Sequence, residues 1–236
     1  MAFNKINKPY ILVNKIVNNI KEEIINGNIK PGQRIIETHI AREMGVSRSP
    51  LREAIQKLKA ENVLKVIPYK GTYVNVLSRE DIKAIYELRT ILEMYATEKI
   101  IEKSGNDEFI KFINILDKKV KKMELAVKEN KIDELAKEDI EFHHKIVSFC
   151  GNRFLLETWE KHNLQIRILL NIETKHQFVE SPKEHKQLVT LIREKKVKQS
   201  KECIKEHILK SLEIFVNSVS KNGYPSRASH KNVLES

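Results

Sequence analysis

The run Gly45-Val46-Ser47-Arg48-Ser49-Pro50-Leu51-Arg52-Glu53-Ala54 constrains this chain more than any other stretch. Gly45 suits the left-handed residue that closes a short helix. Ser47 or Ser49 can cap the helix that follows, and Pro50 is tolerated in its first turn. Leu51, Ala54, Ile55 and Leu58 then recur at core spacing, so this helix buries one face. Arg48 and Arg52 lie four residues apart and share another face near its N-terminus. A helix held by one apolar face, with two arginines at its leading end, can enter a major groove and meet guanine O6/N7 or phosphate. An amphipathic helix with solvated arginines has the same local pattern, so the flanks decide.

Tyr10 to Ile25 reads as a helix with Val13, Ile16, Val17, Ile20 and Ile24 inward. Gly27 and Pro31-Gly32 punctuate a tight link. A short helix over Glu37 to Met44 packs Ile40, Ala41 and Met44. After the reading helix come two β-rich runs, Val63 to Ile67 and Thr72 to Leu77, joined by Pro68-Tyr69-Lys70-Gly71 as a hairpin. This order predicts a winged helix-turn-helix over residues 1–77. Charge agrees: those residues hold 13 Lys/Arg and 6 Asp/Glu, net +7, while the remaining 159 hold 30 against 26, net +4. Phosphate attraction calls for that asymmetry.

From Ser78 to residue 221 the pattern is helical throughout. Six helices are expected: Ser78 to Lys103, Asp107 to Glu129, Asp133 to Cys150, Phe154 to Thr174, Ser181 to Lys195 and Lys198 to Ser220. The fold class is therefore mainly α, a winged helix-turn-helix followed by an all-helical antiparallel bundle. Residues 222–236 read as a flexible polar tail. The sequence has no apolar run of about 18 residues for a membrane span and no signal-peptide stretch at its N-terminus. Cys150 and Cys203 fall in helical patterns without CxxC pairing, which predicts a reduced, cytoplasmic protein.

Several polar residues occupy apolar faces of these helices. Asp139 and His143 are spaced i,i+4 inside the arc of Leu135, Phe142, Ile146 and Cys150. His185 lies among Leu188, Val189 and Ile192, and His207 beside Cys203, Ile204 and Ser211. A buried charge is costly unless paired or bound to a metal. One carboxylate and three imidazoles on one interior suit a borderline divalent ion, zinc first, with nickel or manganese as alternatives. Hydrogen-bonded core polar residues are the competing reading. His39, His144, His162, His176 and His230 show no such placement and read as solvated or incidental. Arg89 stands at the centre of the face formed by Ile82, Ile85, Tyr86, Leu92 and Ala96, with Glu93 one turn on. It is either half of an i,i+4 ion pair or a guanidinium that clamps a carboxylate in a cavity. Arg167 is a second candidate for the same pocket.

Two groups of motifs carry a resemblance. Gly27-x3-Pro31-Gly32, then Val46 to Ala54, then Gly71-Thr72-Tyr73-Val74 resemble the DNA-binding domain of the GntR family of bacterial transcription regulators. The resemblance implies DNA contacts at Ser47, Arg48, Ser49 and Arg52, and a wing tip at Lys70 and Gly71. Asp139-x3-His143, Gly151-Asn152, Glu184-His185 and His207 resemble the FCD ligand-binding domain of the FadR-type subgroup. That implies a metal held by Asp139, His143, His185 and His207, with positions left open to water or an effector. It also favours an arginine at position 89. Acyl-CoA-binding members lack the four-residue set, which argues against that effector class.

The functional expectation is a metabolite-responsive repressor rather than an enzyme. A homodimer would read a pseudo-palindromic operator in double-stranded DNA. A small organic acid bound near the metal and Arg89 would release it, and no membrane partner is expected. The alternatives are a metal-dependent hydrolase fused to a DNA-binding domain and a regulator that senses the metal itself.

Overall fold

The computed structural model describes residues 9–173 and 181–221; the tail assigned to 222–236 lies outside them, as do His176 and His230. The described residues form two compact units that divide between Ser78 and Arg79.

The first unit runs α1 (Pro9–Ile25), β1 (Arg34–Ile35), α2 (Glu37–Glu43), α3 (Arg48–Ala60), β2 (Leu64–Ile67) and β3 (Gly71–Val74). Val13, Ile16, Val17, Ile20 and Ile24 of α1 are buried, as are Leu51, Ala54, Ile55 and Leu58 of α3, and the two helices pack together. Full burial of each large aliphatic side chain contributes about 1.5–3 kcal/mol, which fixes α3 by its apolar face and leaves its arginines outside. Gly45 adopts φ 62. Its N–H donates to the Arg42 carbonyl at 3.2 Å, and the Val46 N–H to that of Ala41 at 3.0 Å. This paired closure ends α2 sharply and turns the chain into α3.

Ser47 takes the N-cap position, yet its hydroxyl makes no capping bond. The expected serine cap is thus corrected, and Pro50 supplies a reason. A cap oxygen accepts from the second or third helical N–H, and the third helical residue here is proline, which has none.

The sheet also differs from expectation. It has three strands, in the order β1-β3-β2, all antiparallel. The predicted hairpin is present, with its second strand at Gly71–Val74 rather than running on to Leu77. β1 pairs Arg34 with Tyr73 and Ile35 with Thr72. Two residues carry no alternation to detect, so this strand has no signature in the sequence.

The second unit comprises α4 (Arg79–Glu102), α5 (Asp107–Lys128), α6 (Ile132–Phe149), α7 (Arg153–Glu173), α8 (Ser181–Arg193) and α9 (Val197–Lys221). Each predicted helix is present, its ends displaced by two residues at most. Asn106 and Asn152 cap the helices that follow them: their side chains accept from the Phe109 N–H at 2.9 Å and the Leu155 N–H at 3.1 Å. Helix α4 is the spine of the unit and packs against α6, α7, α8 and α9. Its inward face buries Ile82, Ile85, Tyr86, Ala96 and Ile100, and with them the ionic residues Arg89 and Glu93.

Candidate functional site

The residues assigned to DNA contact lie on the surface of the first unit. Ser47, Arg48, Ser49 and Arg52 are exposed around the N-terminus of α3; Lys70 and Gly71 are half-buried at the hairpin. Arg52 donates through Nε to Glu37 Oε2 at 3.0 Å, and both side chains remain solvated. Such an exposed pair contributes about 0–1 kcal/mol, so DNA can compete for this guanidinium.

In the second unit the four predicted metal-site residues converge. Asp139 and His143 come from α6, His185 from α8 and His207 from α9, with one ligand atom of each inside a sphere where all lie within 4.8 Å of one another. The three imidazoles are buried. His143 Nε2 lies 3.2 Å from His207 Nε2 and 3.2 Å from His185 Nε2, and His185 Nε2 lies 3.2 Å from Asp139 Oδ1.

Two carboxylates outside this set fix the rings. His143 Nδ1 meets Glu93 Oε2 at 2.6 Å, and His207 Nδ1 meets Glu184 Oε2 at 2.7 Å. An ionised carboxylate only accepts, so each Nδ1 carries the proton and each Nε2 carries a lone pair. The His143–His207 approach therefore sets lone pair against lone pair, which is repulsive as it stands. A cation among these atoms removes that repulsion. Two nitrogens bound at about 2.0–2.1 Å to one tetrahedral ion stand about 3.4 Å apart, close to the spacing observed. The donor set fits a divalent metal, and the two carboxylate–histidine pairs are the outer partners that such ligands commonly have.

Electrostatics point the same way. Burial holds His143 below its ordinary pKa. Burial, then neighbouring His185, lowers His207 to about 4. Both rings are neutral near pH 7, the form that binds metal. Burial would raise the Asp139 carboxyl, but the bond to His185 and the surrounding imidazoles outweigh it and hold it well below the carboxylate range. Glu184 is lowered to about 2, first by its bond to His207, against burial, and then by Lys210.

Glu93 is the residue that sequence reasoning undervalued. Fully buried, it accepts from Arg89 Nε at 2.6 Å and Trp159 Nε1 at 2.7 Å on one oxygen, and faces His143 Nδ1 at 2.6 Å with the other. Burial opposes its ionisation, yet the charge of Arg89 and the hydrogen bonds from His143 and Arg89 outweigh burial and keep its carboxyl far below the ordinary range. Both readings of Arg89 thus meet in one place. It is the ion-pair partner of Glu93, and it also lines a small cleft with Leu88, Leu92, Trp159, His162 and Asn163. His162, expected to be incidental, belongs to that cleft; Arg167, half-buried on α7, does not. The buried Asn163 Oδ1 makes no hydrogen bond.

A winged helix-turn-helix, joined to a helical unit that buries ligand-competent groups beside an arginine-lined cleft, defines a ligand-responsive DNA-binding regulator. The chain belongs to the gntR family of bacterial regulatory proteins. Residues 12–74 match that family's domain, and residues 84–210 match the FCD domain. Among its relatives, the uncharacterized HTH-type transcriptional regulator YdhC of Bacillus subtilis is 33% identical over 208 residues, 87% of this chain and 89% of that protein. The HTH-type transcriptional repressor GlaR of Escherichia coli is 23% identical over 217 residues, 86% of this chain and 95% of that one. The solved structure of E. coli McbR/YncC superposes with a TM-score of 0.74 at 20% identity, covering 87% of this chain and 97% of that one, and shows the shared fold. The chain is accordingly a metabolite-responsive DNA-binding transcription regulator, of a family of regulators rather than enzymes. No helix among the described residues is long and apolar enough to cross a membrane.

Proposed function

We propose that this regulator is a homodimeric repressor that releases a pseudo-palindromic operator when a small carboxylate binds beside a divalent metal. The observation that carries the reading is the three-way junction at Glu93. It joins a candidate metal ligand, His143, to an arginine that lines a cleft. Zinc suits the three-imidazole, one-carboxylate set first, with nickel or manganese as alternatives. Bound there, the ion would supply a Lewis-acidic anchor of net local charge about +1 for an effector oxygen.

The chain's own residues do the rest. His143 and His207 are held by Glu93 and Glu184 with Nε2 facing the cluster. Arg89 offers a second positive group, so a hydroxy, keto or amino acid can use both anchors where a neutral sugar cannot. The cleft is only about 10 Å³, room for one water. An effector that enters it has to move a lining side chain, and moving Arg89 or Trp159 breaks a bond to Glu93. Such a rearrangement is the differential interaction that an effector needs in order to switch anything. Glu93 and Glu184 are engaged by imidazoles of the cluster, an arrangement that favours regulation over water activation.

The experiment is a thermal-shift screen with hydroxy acids, sugar acids, dicarboxylates and amino acids, followed by DNA release. Stabilisation by a carboxylate is expected. Arg89→Ala should raise the effector concentration needed for release, with Arg89→Lys a poor rescue because it lacks the planar fork. A screen whose hits are all uncharged molecules overturns the reading.

A further inference from the structure

Helix α7 carries an inward stripe at four-residue spacing, Leu155, Trp159 and Asn163, and all three are buried. The third member does not suit its place. Asn163 is 7% exposed, and its Oδ1 has no hydrogen-bond partner among the described residues. A buried acceptor in this state loses its hydration without compensation, so an apolar side chain would serve the isolated fold better.

The surroundings explain why no partner is at hand. Asn163 lines the cleft with Arg89, Trp159 and His162, and with Leu88 and Leu92. Arg89 Nε and Trp159 Nε1 both donate to Glu93 Oε1, at 2.6 and 2.7 Å, and His162 Nδ1 faces Gln165 Oε1 at 3.4 Å. The leucines have nothing to donate. The donor for Asn163 has to come from outside the fold.

Three conditions define that donor. It carries a hydrogen on a polar atom, because an amide oxygen only accepts; a ketone oxygen fails here. It is small, because a cleft of about 10 Å³ takes one oxygen the size of a water, while the rest of the molecule enters by moving a lining side chain. It is uncharged, because the fixed charge lining the cleft is the Arg89 guanidinium, and Glu93 is already met by Arg89, Trp159 and His143. A buried ammonium without a counter-charge is costly. A hydroxyl satisfies all three conditions.

We propose that Asn163 determines effector specificity, and that its Oδ1 accepts the hydroxyl of a hydroxy acid in preference to the keto, amino or deoxy acid of the same skeleton. The inference rests on the reading of Arg89 as the carboxylate anchor and narrows the effector class which that reading allows.

The test is titration calorimetry on the full-length protein with zinc, using two matched series of acids. One is lactate, pyruvate, alanine and propionate; the other is 2-hydroxyglutarate, 2-oxoglutarate, glutamate and glutarate, with both enantiomers of each chiral acid. In a series that binds, the hydroxy acid should bind roughly ten- to hundred-fold more tightly than its keto, amino and deoxy counterparts. Asn163→Leu, which replaces the amide by an apolar side chain, should bring the hydroxy, keto and deoxy acids within about threefold of one another, chiefly by weakening the first. Asn163→Ala should do the same and guards against an ill-fitting leucine. Arg89→Lys reads the anchor separately and should weaken all three acids by one common factor. If carboxylates bind but the hydroxy and deoxy acids are equal, or if both Asn163 variants keep the wild-type ratio, the assignment of Asn163 is overturned and the Arg89 anchor stands. If no acid of either series binds, the anchor fails and the assignment falls with it.

Discussion

Replacing Glu93 by Gln keeps shape and volume while removing one charge from the centre of the second unit. The wild-type carboxylate, with no exposed surface, receives Arg89 and Trp159 on Oε1 and His143 on Oε2. A glutamine amide has one accepting oxygen and one donating nitrogen. If the oxygen serves Arg89 and Trp159, the NH2 group faces His143 Nδ1. That ring must then move its proton to Nε2, the atom directed at His185 and His207. If the amide is reversed, two donors confront a third. In either case Arg89 keeps its charge at 7% exposure with no carboxylate counterpart. Breaking a buried pair in this way costs about 3–5 kcal/mol. In a domain of this size each kcal/mol is about 2–4 °C, so the melting temperature should fall by about 6–20 °C. Loss of an outer partner to a metal-ligating histidine should weaken zinc binding about 10–100-fold. Thermal melts followed by circular dichroism, with and without zinc, and competition against a chromophoric chelator give the two readouts. The double variant Arg89→Met/Glu93→Gln removes the stranded charge. It should recover part of the melting temperature and none of the zinc affinity. A Glu93→Gln protein that melts within a degree of wild type and binds zinc equally well would refute the reasoning.

Two further predictions concern the assigned contacts. His143→Ala or His207→Ala should abolish stoichiometric metal, and chelation should lower the wild-type melting temperature. His144→Ala, which removes a pair with Glu160 and a tilted ring contact with Trp159 but no ligand atom of the cluster, should leave the bound metal in place; elemental analysis of the purified proteins decides. At the DNA end, Arg52→Ala should cost about 1–3 kcal/mol of operator affinity and relax discrimination at one base position. Arg48→Ala should weaken all sequences alike and make the salt dependence shallower, and titrations at several salt concentrations tell these apart.

Most of the architecture was legible because its signals are local. The period of Val13, Ile16, Val17, Ile20 and Ile24 specifies α1, and Gly45 specifies the end of α2. The six helices of the second unit begin and end within two residues of their expected limits, since Gly105 with Asn106, Gly151 with Asn152 and the Ser181-Pro182 start punctuate them. Even the cluster was legible as a set. Asp139, His143, His185 and His207 are polar residues on apolar helix faces, and burial makes such residues converge or pair. Ser47 misled because its capping partner depends on Pro50, a backbone detail that residue preferences do not weigh.

What the sequence determined by itself is therefore the inventory: two units, their helices, the basic helix α3 and a cluster of four candidate ligands. What only the tertiary structure decided is connectivity between residues distant in the chain. Glu93 and His143 are 50 residues apart, and Glu93 and Trp159 are 66 apart. No periodicity marks Glu93 as the link between an arginine and a candidate metal ligand. The sequence suggested its pairing with Arg89, because that partner lies one turn away on the same helix. Strand β1 is the same case in the first unit, since two residues become a strand only when β3 supplies the hydrogen bonds. Helical faces are set by neighbours three and four residues away, whereas hydrogen-bond partners across a core are set by how those faces meet.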